Sequence, residues 1–363
     1  MSEEIRILAL VTGAFGETGG IASYNRAALR ALAADPRVAT VSVLARRGDD
    51  RRGIPGKVRQ LAPIGSPVGF ALAAIVMALA RRPQVVFCGH LHLGWLAVVA
   101  ARIAGAKLVI QAHGIEVWRR PRLRRRRRAP ARADLILCVS RHTRETLLAW
   151  CDIAPERVIV VPNTISARFT PGDPGPARTR LGLAGHQRLI LSVGRLDGRE
   201  RYKGQDLAIG LIGELRARGR DVILAIAGEG DDRPRLEALA KAPAAADGVR
   251  FLGSVCDDAL LDLYRAADLY LMPSKGEGFG IVFLEAMACG TPAIGLACGG
   301  ASDALGRGLG QALAEADLLE AVDRALDGPA PDRLALSAEI HRRYGEDVFA
   351  GRIGQVLDRL EIA

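Results

Sequence analysis

The chain predicts an α/β protein built from two parallel-sheet halves. Three observations carry this. Apolar, strand-like runs alternate with helical stretches along the whole sequence, the order of repeated βα units. The alternation restarts after a proline-rich break at 170–177, TPGDPGPA. In both halves the strand-like runs end in glycine-containing loops. A length of 363 residues suits two domains rather than one. The boundaries read this way are 1–169, 170–345 and a terminal helical segment 346–363.

Composition narrows the class. The chain is rich in Ala, Leu, Val, Gly and Arg and poor in aromatics, so large cores can be buried. A net charge of +10 and a pI of about 9.8 favour acidic partners: nucleotide phosphates, anionic lipid or nucleic acid. The cysteines at 88, 138, 151, 256, 289 and 298 form no C-x-x-C pair and no Cys/His cluster. Neither a disulfide framework nor a zinc site follows, and buried thiols in a reducing cytosol are the simpler reading. The start, MSEEIRILALVTG, is acidic and runs straight into a strand, unlike a signal peptide. The apolar run 68–80, bounded by Pro67 and Arg81, is too short to span a bilayer and reads as a buried or interfacial helix.

In chain order, 5–11 is a continuous apolar strand of the kind buried on both faces. TGAFGETGG and a helix over 21–33 follow, which is the grammar of a phosphate loop without the G-x-G-x-x-G spacing. Strands are predicted at 38–45 and 85–88, with a charged loop at 48–56 between them. The second strand opens onto His90 and His92; with no acidic or further histidine partner near in sequence, they read as loop histidines rather than metal ligands. After a strand at 108–111 comes Ala112-His113-Gly114-Ile115-Glu116, at the carboxyl end where open α/β sheets place ligands.

Trp118 begins the most unusual composition. Arg119, Arg120, Arg122, Arg124, Arg125, Arg126, Arg127 and Arg128 place eight arginines in ten residues, with Leu123 among them. Such a run is ordinarily a solvated face, yet so many like charges repel unless an anion neutralises them. An anionic membrane surface does so at about 1 kcal/mol per basic side chain, with Trp118 and Leu123 as interfacial anchors. Nucleic acid is the competing partner, but no aromatic platform or nucleic-acid module accompanies the run.

Strands at 134–140 and 158–161 close the first half, the latter ending in Pro162-Asn163-Thr164. The second half opens with a strand at 189–193 followed by Arg195 and Lys203, two cations whose clustering beyond a strand end suits a diphosphate. Strands at 222–227, closed by Gly228-Glu229-Gly230, and at 249–253 follow.

The stretch that organises the chain is 273–290, PSKGEGFGIVFLEAMACG. A short buried strand ends at Pro273, a glycine-rich turn follows, and a helix begins after Gly280. The free N–H groups at Phe279, Gly280, Ile281 and Val282 suit a phosphate. Glu277 lies in the turn and Glu285 in the helix, so the two carboxylates meet different parts of one phosphorylated ligand. A strand at 293–296, a CGG loop with Asp303 beyond it, and a helix at 347–360 complete the chain.

This stretch resembles the donor-sugar motif of the retaining GT-B glycosyltransferases of family four, which carry two glutamates separated by seven residues. Glu277, Gly278, Phe279, Gly280, Glu285, Ala286, Met287 and Gly290 fall in register, with Thr291-Pro292 following. The resemblance implies two Rossmann-like domains facing across a cleft and a terminal helix that crosses back to the first. It implies that Glu277 contacts the transferred sugar, Glu285 the ribose, and Arg195 and Lys203 the leaving diphosphate. Gly19 and Gly20 become the GG loop near the donor phosphates, Gly228 a second donor-site glycine, and His113 a histidine near sugar and acceptor. Two departures are visible: Thr164 stands where the family commonly has glycine, and Asp303 stands for a glutamate after the glycine pair. The implied activity is metal-independent hexosyl transfer with no cofactor beyond a nucleotide-diphosphate sugar. The form RYKG-x-D leans towards GDP-mannose, with a UDP-sugar as the alternative. The implied acceptor is a glycan or lipid-linked hydroxyl in bacterial polysaccharide or cell-envelope synthesis, at the inner face of the cytoplasmic membrane. Alternatives are a phosphorylase or epimerase of the same fold, or a nucleic-acid-binding protein using the arginine run.

Overall fold

The computed structural model describes residues 4–50, 52–123, 127–329 and 331–362. The chain divides into two compact units, 1–164 with 344–363, and 165–343. The proline-rich stretch does not join them. It belongs to the second unit, where Arg265 Nε donates to the Thr170 carbonyl at 2.9 Å.

The first unit holds a seven-stranded sheet in the order β3-β2-β1-β4-β5-β6-β7. Its strands are β1 (Ile5–Gly13), β2 (Val38–Arg47), β3 (Val58–Gln60), β4 (Val85–Cys88), β5 (Lys107–Ala112), β6 (Leu135–Cys138) and β7 (Val158–Val160). Every pairing is parallel. The strand order reverses between β1 and β4, and the loops beyond their carboxyl ends are where doubly wound sheets bind ligands. Helices α1 (Gly20–Ala34), α2 (Pro67–Arg81), α3 (Gly94–Ala104) and α4 (Arg141–Leu148) connect the strands. Ser66 caps α2, its Oγ accepting from the Gly69 N–H at 3.3 Å, and Pro67 occupies the first helical position where no donor is needed. Only the inward side of α2, with Phe70, Ala74 and Ala78, is buried.

The second unit holds a six-stranded parallel sheet, β10-β9-β8-β11-β12-β13. Its strands are β8 (Arg188–Val193), β9 (Val222–Ala227), β10 (Val249–Gly253), β11 (Leu269–Met272), β12 (Ala293–Leu296) and β13 (Gln311–Leu313). Here the order reverses between β8 and β11. The helices are α5 (Gly175–Arg180), α6 (Gln205–Ala217), α7 (Arg233–Ala240), α8 (Asp257–Ala266), α9 (Ile281–Ala288), α10 (Ala301–Leu305), α11 (Leu318–Asp327) and α12 (Arg333–Tyr344). The terminal α13 (Glu346–Arg359) packs on α1 of the first unit, with Phe349 edge-to-face on Tyr24 at 5.4 Å.

The three-residue edge strands β3 and β13 were not expected, because runs so short carry no periodicity. Among the described residues no helix is long and apolar enough to cross a membrane.

Candidate active site

In the second unit the candidate side chains lie beyond β8 and β11, at the reversal of strand order. Lys203 ends a short 3-10 turn, Arg201–Lys203, directly before α6. Its ammonium lies 3.4 Å from Glu277 Oε1, and both side chains are largely enclosed, at 17% and 13% exposure. Enclosure strengthens this pair relative to a surface one, and each charge keeps the other from being stranded. Arg195, in the loop after β8, is far more open at 71% and pairs with Glu200. The site thus holds one enclosed and one solvent-facing cation.

Backbone packing fixes this arrangement. Gly228, after β9, has φ +149, and a Cβ there would sit 1.9 Å from the Gly194 carbonyl oxygen. The loops that follow β8 and β9 therefore touch main chain to main chain, and Leu196 N–H donates to the Glu229 carbonyl at 2.9 Å. On the other side Gly300 N–H donates to the Glu277 carbonyl at 2.7 Å. A Cβ on Gly300 would lie 2.0 Å from the Gly278 oxygen. The CGG loop after β12 is thus the bed on which the Glu277 turn rests.

Gly280 caps α9, whose first turn contains Ile281 and Val282, both half-buried; Phe279 is buried. Glu285 lies one turn further along, and its Oε2 accepts from the Tyr264 hydroxyl at 2.8 Å. Burial raises the Glu285 carboxyl to about 7; Asp257 pushes the same way, while the Tyr264 hydrogen bond and Arg168 oppose it. Tyr264 was not singled out from sequence: its contact spans 21 residues and leaves no local signal.

In the first unit Gly19 caps α1 and Gly20 is its first residue, beyond β1. His113 follows β5. Its Nε2 lies 3.0 Å from the Gly89 carbonyl oxygen, which makes Nε2 the protonated nitrogen and leaves Nδ1 as the acceptor. Its own N–H donates to Glu116 Oε1 at 2.6 Å. Burial lowers the His113 imidazole, with Glu116 and the Gly89 hydrogen bond opposing. His90 stands 5.8 Å from His113 and 4.7 Å from His92, ring centre to ring centre. Burial, with the neighbouring histidines, takes His90 down to about 4 against the pull of Glu116. Burial works against ionisation of Glu116 too, but His113, His90 and the His113 N–H outweigh it and hold the carboxyl below its usual range. Glu116, named in sequence as the end of the His113-Gly114-Ile115-Glu116 segment, is thus tied back to His113 through that residue's backbone N–H. Among the described residues no group of three or more His, Cys, Asp or Glu side chains is arranged to hold a metal ion.

The arginine segment lies in the first unit. Arg119, Arg120, Arg122, Leu123 and Arg128 are exposed and Arg127 is half-buried. Arg124, Arg125 and Arg126 lie outside the described residues. Trp118, expected as an interfacial anchor, is partly buried and packs against the core of the unit next to buried Val117.

The family described as glycosyl transferases group 1 matches residues 176–343, and glycosyltransferase family 4 matches residues 18–169. The D-inositol 3-phosphate glycosyltransferase of Acidothermus cellulolyticus is 30% identical over 397 residues, covering 95% of this chain and 87% of that protein. The protein of the same name from Geodermatophilus obscurus is 34% identical over 243 residues, a match that spans 62% of this chain and 53% of the relative. The crystal structure of HepE from Anabaena in complex with UDP and glucose shares the fold, with a TM-score of 0.78 at 20% identity over 98% of this chain and 99% of that one. With its two parallel-sheet units of the GT-B fold, this chain belongs to the group 1 glycosyltransferases.

Proposed function

We propose that the protein is a retaining hexosyltransferase using a nucleotide-diphosphate sugar. The observation that carries this is the enclosed Lys203–Glu277 pair, 3.4 Å apart at the strand-order reversal of the second sheet, with Glu285 one helical turn into α9. Lys203 and Arg195 neutralise the charge that develops on the departing diphosphate, joined by the N–H groups at Phe279, Gly280, Ile281 and Val282; this is stabilisation aimed at the leaving group. Gly19, Gly20 and Gly228 allow close approach of the donor. These cations supply the charge a divalent metal supplies elsewhere, so the reaction is proposed as metal-independent.

Glu277 positions the sugar hydroxyls and does not act as a covalent nucleophile. The bond between the anomeric carbon and the β-phosphate oxygen breaks, and a bond to the acceptor oxygen forms on the same face. The acceptor's proton passes to the departing phosphate, with His113 Nδ1 assisting. Glu285 accepts from the ribose hydroxyls. The donor is a GDP- or UDP-sugar, with HepE's complex with UDP supporting the latter base. The acceptor is a hydroxyl of a glycan or lipid-linked molecule of the cell envelope. The relatives' name adds a phosphorylated polyol as an acceptor to screen. The proposed site of action is the inner face of the cytoplasmic membrane, reached through the arginine segment.

The test is transfer assayed with UDP-, GDP- and ADP-sugars against these acceptors. Nucleoside diphosphate released only when acceptor is present, with the product keeping the donor's anomeric configuration, supports the reading. Lys203→Ala should reduce turnover at least a hundredfold without loss of fold. Near-normal turnover in that variant, or an inverted product, refutes it.

A further inference from the structure

The outer side of α2 is apolar and uncovered. Phe70, Ala74 and Ala78 recur every fourth position and are buried. The opposite side carries Val68, Leu72, Val76 and Leu79, between 59% and 69% exposed. No charged residue occurs in 67–80. A helix apolar on both sides is ordinarily enclosed on both. Helix α3, packed beside α2, continues the surface with Trp95, Val99 and Ile103 at every fourth position, each 37–38% exposed.

The inward residues of both helices share one core with Val117 and Ala129, which flank the arginine segment. A Cβ on Gly94 of α3 would lie 3.5 Å from the Ala129 Cβ. The carboxyl end of the arginine segment, at exposed Arg128 and buried Ala129, therefore lies against the start of α3. Residues 51–133 hold seventeen lysines and arginines and a single acidic residue, Glu116, a local net of +16. The whole chain is +10, so the remainder is −6.

We propose that the outer sides of α2 and α3, with the exposed Arg119, Arg120, Arg122 and Arg128, seat the protein on an anionic lipid bilayer. Leu72, Val76 and their neighbours enter the boundary between headgroups and acyl chains, while the arginines meet lipid phosphates. This rests on the membrane reading above but moves the anchor from the arginine run to α2. Arginines alone give contact that salt reverses; an apolar seat resists salt. A second copy is disfavoured as the occupant, because twofold pairing sets this basic surface against itself.

The experiment is flotation of the full chain with phosphatidylcholine vesicles and with mixed phosphatidylglycerol–phosphatidylcholine vesicles, at low and high salt. Wild type should float with the anionic vesicles and retain a salt-resistant fraction. Leu72→Gln/Val76→Gln changes two exposed positions, so melting should be unaltered while vesicle partition falls about tenfold or more. Tryptophan emission should shift to the blue on anionic vesicles in wild type and not in Trp95→Phe. Wild-type binding that salt abolishes, or that the double substitution leaves unchanged, overturns the apolar seat and leaves the arginine contact standing. No binding to either vesicle overturns both. Self-association of wild type that the double substitution dissolves assigns the face to a second copy and also overturns the proposal.

Discussion

Replacing Glu285 by glutamine should flatten a pH dependence that the fold imposes. Burial raises this carboxyl from an ordinary 4.5 to about 7. Between those values the native state holds a proton that the unfolded chain has released. Stability is therefore full below 4.5 and declines as pH rises through 7. The difference between 7 and 4.5, at roughly 1.4 kcal/mol per unit, is about 3–4 kcal/mol. For a unit of this size, each kcal/mol moves the melting temperature by about 2–4 °C. Glutamine resembles the protonated acid and still accepts from the Tyr264 hydroxyl. Melting of wild type and Glu285→Gln should thus coincide near pH 4 and separate by about 6–16 °C at pH 8, with wild type the lower. Calorimetry of the ligand-free protein across this range measures it, and the difference between the curves cancels the other titrating groups. Parallel curves would refute the reasoning. If Glu285 accepts from the ribose hydroxyls as proposed, the same proton must leave first, and nucleoside-diphosphate binding to wild type should release a proton near pH 6.

Other consequences are as direct. His113 is held below 6.5 by burial, so if its neutral Nδ1 takes part in turnover, the acid limb of kcat/KM should fall below that pH; a limb at or above it assigns the titration to another group. Gly228→Ala meets both a φ of +149 and a carbonyl oxygen 1.9 Å from the new Cβ. Urea unfolding should show a loss of about 2 kcal/mol or more, and an unchanged midpoint would contradict that packing. Gly300→Ala drives a methyl into the Gly278 carbonyl and displaces the Glu277 turn. Turnover should drop about tenfold or more while most stability is kept, and unaltered kinetics would show that the CGG loop does not position Glu277.

The local grammar of the site was legible in sequence because it is written in neighbouring residues. A strand ending at Pro273, glycines at 276, 278 and 280, and a helix carrying Glu285 appear in that order in the chain and in the fold. Arg195 and Lys203 were legible for the same reason: they follow one strand and precede one helix. The charge of 51–133 is likewise a property of sequence alone. What tertiary structure decided are contacts between residues far apart along the chain. The hydroxyl that reaches Glu285 comes from Tyr264, and the backbone beneath Glu277 comes from Gly300. The passage between units at 164/165 was set by which core each residue joins, not by the prolines that follow. Trp118 packs partly buried against the core, and α2, read as buried or interfacial, is buried on one side and bare on the other. A helix apolar on every side carries no periodic signal of which side the sheet will cover, and that choice is made only when the sheet and α3 pack against it.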